Sequence, residues 1–110
     1  MGKFIKGDIV IVPFPFSDLS SSKKRPAMVI ADLKGDDVIL CQITSQANKD
    51  KYSILIKDSE FSSGQLVKES YIRPNRLFTA DKNIILYKAA TLKNNKIQEV
   101  VTKLIEIIKS

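Results

Sequence analysis

Two short runs near the start of this chain are apolar at every position. Ile9-Val10-Ile11-Val12 and Ala27-Met28-Val29-Ile30-Ala31 are rich in strand-forming residues and show no polar–apolar alternation. A strand with one face in water alternates with period two, so strands of this kind must be covered on both faces. Ile9 and Ile11 point to one side and Val10 and Val12 to the other, and Ala27 and Val29 oppose Met28 and Ile30 in the same way. One set has to fill a closed interior, while the other is covered by a helix or by a second subunit. One helix is a small cover for so much surface, so the pattern predicts a homodimer.

The rest of the chain supplies more short strands and one helix. Asp8 follows a Gly7 turn, and Pro13 to Phe16 ends the first strand because proline lacks the ladder donor. Lys34-Gly35-Asp36-Asp37 reads as a hairpin turn into a third strand over 38–45. Tyr52 to Ile56 reads as a fourth strand and Asp58 to Gly64 as a polar loop. Gln65-Leu66-Val67, Tyr71-Ile72-Arg73 and Leu77-Phe78-Thr79 read as short strands, with Pro74-Asn75-Arg76 breaking or bulging the last two. Ile84 to Leu92 is ambiguous between strand and irregular structure. The last segment is helical, capped by Asn94 or Asn95. Its Ile97, Val100, Val101, Leu104, Ile105, Ile107 and Ile108 fall in a sector about 160° wide. Lys96, Glu99, Lys103 and Glu106 are assigned to the opposite side, with Glu99 and Lys103 as an i,i+4 pair. The pattern predicts one mainly β domain over residues 1–110, a small barrel or sandwich with a C-terminal α-helix.

Composition narrows the function classes. Lys and Arg number 18 against 12 Asp and Glu, a net charge of +6 and a pI near 9.5, which favours a polyanionic partner. There is no histidine, which excludes histidine-based acid–base chemistry and histidine metal sites. Cys41 is the only cysteine and sits in an apolar run, so it reads as a buried, inert thiol with no disulfide or thiolate cluster to join. Met1 to Lys6 is basic, but the apolar run after it is short and stops at Pro13, unlike a secretory signal. No stretch approaches the ~18 apolar residues of a membrane span. The chain reads as cytoplasmic, with no membrane, metal or cofactor requirement.

The residues able to do chemistry cluster around one junction. Asp18, Ser20, Ser21, Ser22, Lys23 and Lys24 form a polar, basic loop that runs into the second strand at Arg25-Pro26, a composition suited to phosphate contacts or to an ordinary solvated loop. Thr44 and Ser45 end the third strand, where a hydroxyl can donate to a phosphate oxygen. Arg73 and Arg76 flank Pro74-Asn75, and each guanidinium presents a planar fork of donors. The pairs Asp58/Glu60 and Asp36/Asp37 are weak candidates for a metal site.

Taken together, Gly7-Asp8-Ile9-Val10, Phe14-Pro15, Lys24-Arg25-Pro26-Ala27-Met28-Val29, Ile43-Thr44-Ser45 and Ser70-Tyr71-Ile72-Arg73-Pro74-Asn75-Arg76-Leu77-Phe78-Thr79 resemble the MazF/PemK family of toxin ribonucleases over nearly the whole chain. The resemblance implies an SH3-like (CcdB/MazF-like) barrel, a homodimer, and metal-independent cleavage of single-stranded RNA. It also implies a cognate acidic antitoxin whose tail occupies the RNA site. Arg25, Thr44 and Arg73 would then be the catalytic residues at the scissile phosphate, with Ser22, Lys23, Lys24, Ser45 and Arg76 binding RNA. Family members often carry an acid where this chain has Asn75, and an amide cannot accept that proton, so either the general base is elsewhere, with Asp18 and Glu69 as the candidates, or deprotonation is weakly assisted, or this protein is slow. The alternatives are a gyrase poison of the same fold and a non-catalytic barrel that binds single-stranded nucleic acid. The absence of tryptophan speaks against the first, since such poisons resemble proteins with a C-terminal Trp-Gly-Ile anchor. An aromatic share of 7%, with Phe14, Phe16, Phe61 and Phe78 not interleaved with basic residues, speaks against the second.

Overall fold

A computed structural model describes residues 4–14, 23–46 and 51–110. In chain order the strands are β1 (Asp8–Phe14), β2 (Lys23–Asp32), β3 (Asp37–Thr44), β4 (Ile54–Ile56), β5 (Phe61–Gly64), β6 (Ser70–Asp81) and β7 (Tyr87–Leu92), followed by helix α1 (Asn94–Lys109). They form one 7-stranded sheet in the order β4-β6-β3-β2-β1-β7-β5, with every neighbouring pair antiparallel. The sheet curls into a half-barrel. Ile54 and Ile56 of β4 share one core cluster with Ala90 and Leu92 of β7, although four strands separate β4 from β7 in the sheet order. A flat sheet could not bring them together.

Both faces of β1–β3 are buried, and their two residue sets divide as the sequence predicts. Ile9, Met28, Cys41, Ile43 and Ile72 fill the concave side together with Val100 of α1. Val10, Val12, Ala27, Val29, Val38 and Leu40 form a second cluster on the other side. That second cluster is covered within the chain, by Phe4, Phe78, Ile84 and Ile85. The premise that carried the sequence-based homodimer expectation, an apolar face lacking its own cover, is therefore overturned.

Other departures have local causes. Of the break or bulge expected at Pro74-Asn75-Arg76 the structure has the bulge, set inside one long strand rather than between two short ones. Cys41 pairs with Leu77 and the next residue, Gln42, pairs with Arg73, so Pro74-Asn75-Arg76 is extruded from the ladder. The expected strand at Gln65-Leu66-Val67 is a connection, and the strand lies just before it. Phe61–Gly64 is held by pairing to β7 rather than by its own weak pattern, and Asp58–Glu60 is a 3-10 turn. Lys23 and Lys24 begin β2 instead of lying in the preceding loop. The ambiguous Ile84–Leu92 stretch resolves into the end of a 3-10 turn (Lys82–Ile84) and β7. Helix α1 is capped by Lys93, not by either asparagine, and has no side-chain cap bond.

The helix buries Lys96, Val100 and Leu104, spaced i, i+4, i+8 along one stripe. Lys96 was assigned to the wet side, yet at 100° per residue it lies only about 40° from Val100. Its ammonium meets Glu60 at 3.0 Å and Glu99 at 2.9 Å. Glu99 therefore pairs with Lys96 rather than with Lys103, which faces Glu106 at 3.9 Å. Cys41 is buried as expected, and its burial pushes the thiol up to about 12, partly offset by a hydrogen bond with the Met28 backbone.

Candidate RNA-facing site

Strand register gathers the predicted catalytic residues on one face of three adjacent strands. On β3, Gln42 pairs with Ala27 of β2 on one side and with Arg73 of β6 on the other. Residues opposite each other in an antiparallel ladder share a face. Continuing the β2–β3 ladder by two residues brings Arg25 opposite Thr44, and Thr44 itself pairs with Tyr71. Arg25, Gln42, Thr44, Tyr71 and Arg73 therefore form a half-buried polar patch that continues the second apolar cluster toward the strand ends. The alternation that buries Ile43 and Ile72 on the concave side is what turns Thr44 and Arg73 the other way.

The Thr44 hydroxyl oxygen accepts the Gln46 N–H at 3.2 Å, which ties the chain to β3 just past its end and leaves the hydroxyl proton free to donate. Glu69 accepts a hydrogen bond from the Tyr71 hydroxyl at 3.5 Å, so its carboxylate reaches toward the Thr44 partner. Asn75 and Arg76 are exposed on the bulge. Asp18 and Ser22 lie outside the described residues. Gln42 and Tyr71 are not among the expected site residues; period two along β3 already puts Gln42 on the face of Thr44, whereas Tyr71 joins it through a register that a sequence does not display.

The same strand ends also border a groove of about 500 Å³ at the mouth of the half-barrel. Ile11, Pro26, Ile43 and Leu66 supply its apolar lining, and Lys23, Lys24, Arg25 and Lys68 its charge; Ser45 and Gln46 also line it, and among the described residues none that lines it is acidic. Among the described residues no carboxylate is paired with any of those four cations. The wall formed by Leu66, Val67 and Lys68 belongs to the connection between β5 and β6, which sequence reading took for a strand. No three Asp, Glu or Cys side chains gather as a metal site among the described residues, and no helix there is long and apolar enough to cross a membrane.

Comparison with known proteins bears on the family and the fold. The family described as "PemK-like, MazF-like toxin of type II toxin-antitoxin system" matches residues 5–108. An "Endoribonuclease from Mycobacterial species" superposes with a TM-score of 0.73 at 13% identity, covering 99% of this chain and 94% of that one. A mycobacterial endoribonuclease in complex with its cognate antitoxin gives a TM-score of 0.76 at 11% identity, covering 97% and 96%. MazF from Deinococcus radiodurans gives 0.72 at 18% identity, covering 96% of each chain. At these identities the structures show a shared fold. No curated protein sequence matches the chain.

Proposed function

Since the chain belongs to the PemK-like, MazF-like toxin family of type II toxin–antitoxin systems, we propose that it is a metal-independent endoribonuclease that cuts single-stranded RNA in the cytoplasm. The observation that carries this reading is the register that puts Arg25, Thr44 and Arg73 on one sheet face. RNA brings its own nucleophile, the 2′-hydroxyl. Its attack on the adjacent phosphorus expels the 5′-oxygen and leaves a 2′,3′-cyclic phosphate and a 5′-hydroxyl end. The protein has to align that attack and stabilise the charge that grows on the phosphoryl oxygens. A guanidinium stays protonated in proteins, so Arg25 and Arg73 act as charge-stabilising forks rather than as proton donors. Thr44 donates its hydroxyl to the phosphate.

Glu69 is the better of the two candidate bases, because its bond to Tyr71 holds it beside the Thr44 end of the patch. General-base help is worth ~10²–10⁴ in rate. With Asn75 out on the bulge and unable to take that role, Asn75→Asp leaves activity equal or higher in a cleavage time course.

Lys23, Lys24, Ser45 and Arg76, with Ser22, bind the RNA strand. The apolar, cationic groove also suits the tail of an acidic antitoxin, which would block RNA by occupying the same cations. Ile105 and Ile108, exposed on α1, give a homodimer an apolar surface to share. The function is tested by incubating single-stranded RNA with the protein in EDTA and labelling new 5′-hydroxyl ends. Cleavage at discrete positions supports it. Retention of intact RNA by the protein would instead identify a binding module, and no action on RNA would return the gyrase-poison reading to contention.

A further inference from the structure

The Ser53 hydroxyl is buried and has no hydrogen-bond partner among the described residues. A buried hydroxyl in that state carries a desolvation cost that no bond offsets, so its retention calls for a reason. Its place in the sheet supplies one. Ser53 stands immediately before β4, where Ile54 pairs with Ile72 of β6, Leu55 with Tyr71 and Ile56 with Ser70. Continuing that ladder by one residue brings Ser53 opposite Arg73. Ile54 and Ile56 are buried in the concave core, so alternation turns Ser53 to the other face, which is the face of the polar patch.

Arg73 therefore has a neutral polar residue beside it on each neighbouring strand, Gln42 on β3 and Ser53 on the approach to β4. We infer that Ser53 is a positioning residue for Arg73. Its hydroxyl oxygen accepts an N–H of the guanidinium when that fork turns onto the scissile phosphate. The inference rests on the ribonuclease reading for the identity of the phosphate, though not for the pairing of the two side chains.

The chemistry of the two groups fits this role. Cross-strand neighbours lie about 5 Å apart at Cβ, well within reach of an arginine. A guanidinium presents more donors than one phosphate takes, which leaves an N–H for a neighbour that holds its plane still. A carboxylate at position 53 would hold that plane too, but would offset the charge that the phosphate needs. A hydroxyl orients the fork without neutralising it. Because the Ser53 hydroxyl is unpartnered in the free protein, a bond made only on engagement favours the engaged arrangement over the free one. That difference raises kcat rather than merely tightening substrate binding.

This role and a structural one predict opposite stability effects. Ser53→Ala removes an unsatisfied buried group, so its urea midpoint should stay level or rise, whereas loss of a structural hydroxyl lowers it. On single-stranded RNA in EDTA, kcat of Ser53→Ala should fall about tenfold with KM within about twofold, the loss expected for one hydrogen bond to a charged group. Ser53→Thr keeps the hydroxyl and should recover most of that loss. A second arm needs no cleavage, because single-stranded DNA lacks the 2′-hydroxyl nucleophile and stays intact. With a saturating DNA oligonucleotide, the Arg73 side-chain N–H signals should exchange with water about fivefold more slowly in the wild type than in Ser53→Ala. Equal exchange in the two proteins would overturn the inference, and so would a midpoint that falls together with kcat. A difference in exchange without any cleavage of RNA retires the ribonuclease reading alone. Cleavage of RNA with equal exchange retires the Ser53 role alone.

Discussion

The protein places lysines in two contrasting settings. At the foot of α1, Lys96 is 4% exposed and held between Glu60 and Glu99. At the mouth of the half-barrel, Lys23, Lys24, Arg25 and Lys68 share a groove that no acidic residue lines among those described. A buried ammonium has to be neutralised, because its desolvation otherwise costs several kcal/mol. Cations at a wet lip carry no such requirement, and their field stays available to an incoming anion. The contrast separates charge that is paired inside the fold from charge that stands at its open edge.

Substitutions at the two places should separate accordingly. Arg25→Ala should lower the cleavage rate about 10²–10³-fold, the cost of losing one charge-stabilising donor, with little change in the denaturation midpoint. Lys96→Ala should do the reverse. It leaves Glu60 and Glu99 without their shared cation, and since both carboxylates are partly exposed the loss is about 2 kcal/mol, below the full cost of breaking a buried pair. Urea denaturation reads that effect, and per-molecule cleavage by the folded fraction should be unchanged.

Acid should weaken the clasp but not the lip. Burial alone would raise the pKa of Glu60, but its hydrogen bond from the Lys57 N–H and its contact with Lys96 outweigh that, and the net shift is downward from 4.5. A carboxylate with a depressed folded pKa contributes stability that is present above its unfolded pKa and lost as pH falls through the folded value. Thermal midpoints of the wild type should therefore drop on acidification below that range, and Glu60→Gln should flatten that limb. The smallest effect is expected at Lys68. Replacing it by alanine should leave stability within about 0.5 kcal/mol, and should reduce the salt slope of RNA binding by about 0.7, one phosphate contact on a single strand.

What the sequence revealed, and what it hid, follows the same physical division. Strands β1 to β3 were legible because continuous β-branched runs have few other places to go. Arg25, Thr44 and Arg73 were legible through the resemblance that their order and spacing carry. Phe61–Gly64 was hidden because Ser62-Ser63-Gly64 has no apolar pattern, and its pairing to β7 is a tertiary decision. Lys96 was misplaced because a lysine on a helix edge reads as solvated until a distant carboxylate closes over it. Gln42 was legible on the Thr44 face by period two, but Tyr71 enters the patch only through register, and the three-residue bulge at Pro74 to Arg76 that sets this register has no local marker of its size. Lys68 and Val67 reach the groove because the β5–β6 connection crosses the barrel mouth, a path that no periodicity announces.

The central claim is that Arg25 and Thr44, opposite each other at the ends of β2 and β3, act on one phosphate. A double-mutant cycle on single-turnover cleavage, with Arg25→Ala, Thr44→Val and both together, measures this directly. The account predicts strong coupling, with the double variant little slower than Arg25→Ala alone. Losses that multiply would place the two side chains at independent tasks and contradict it.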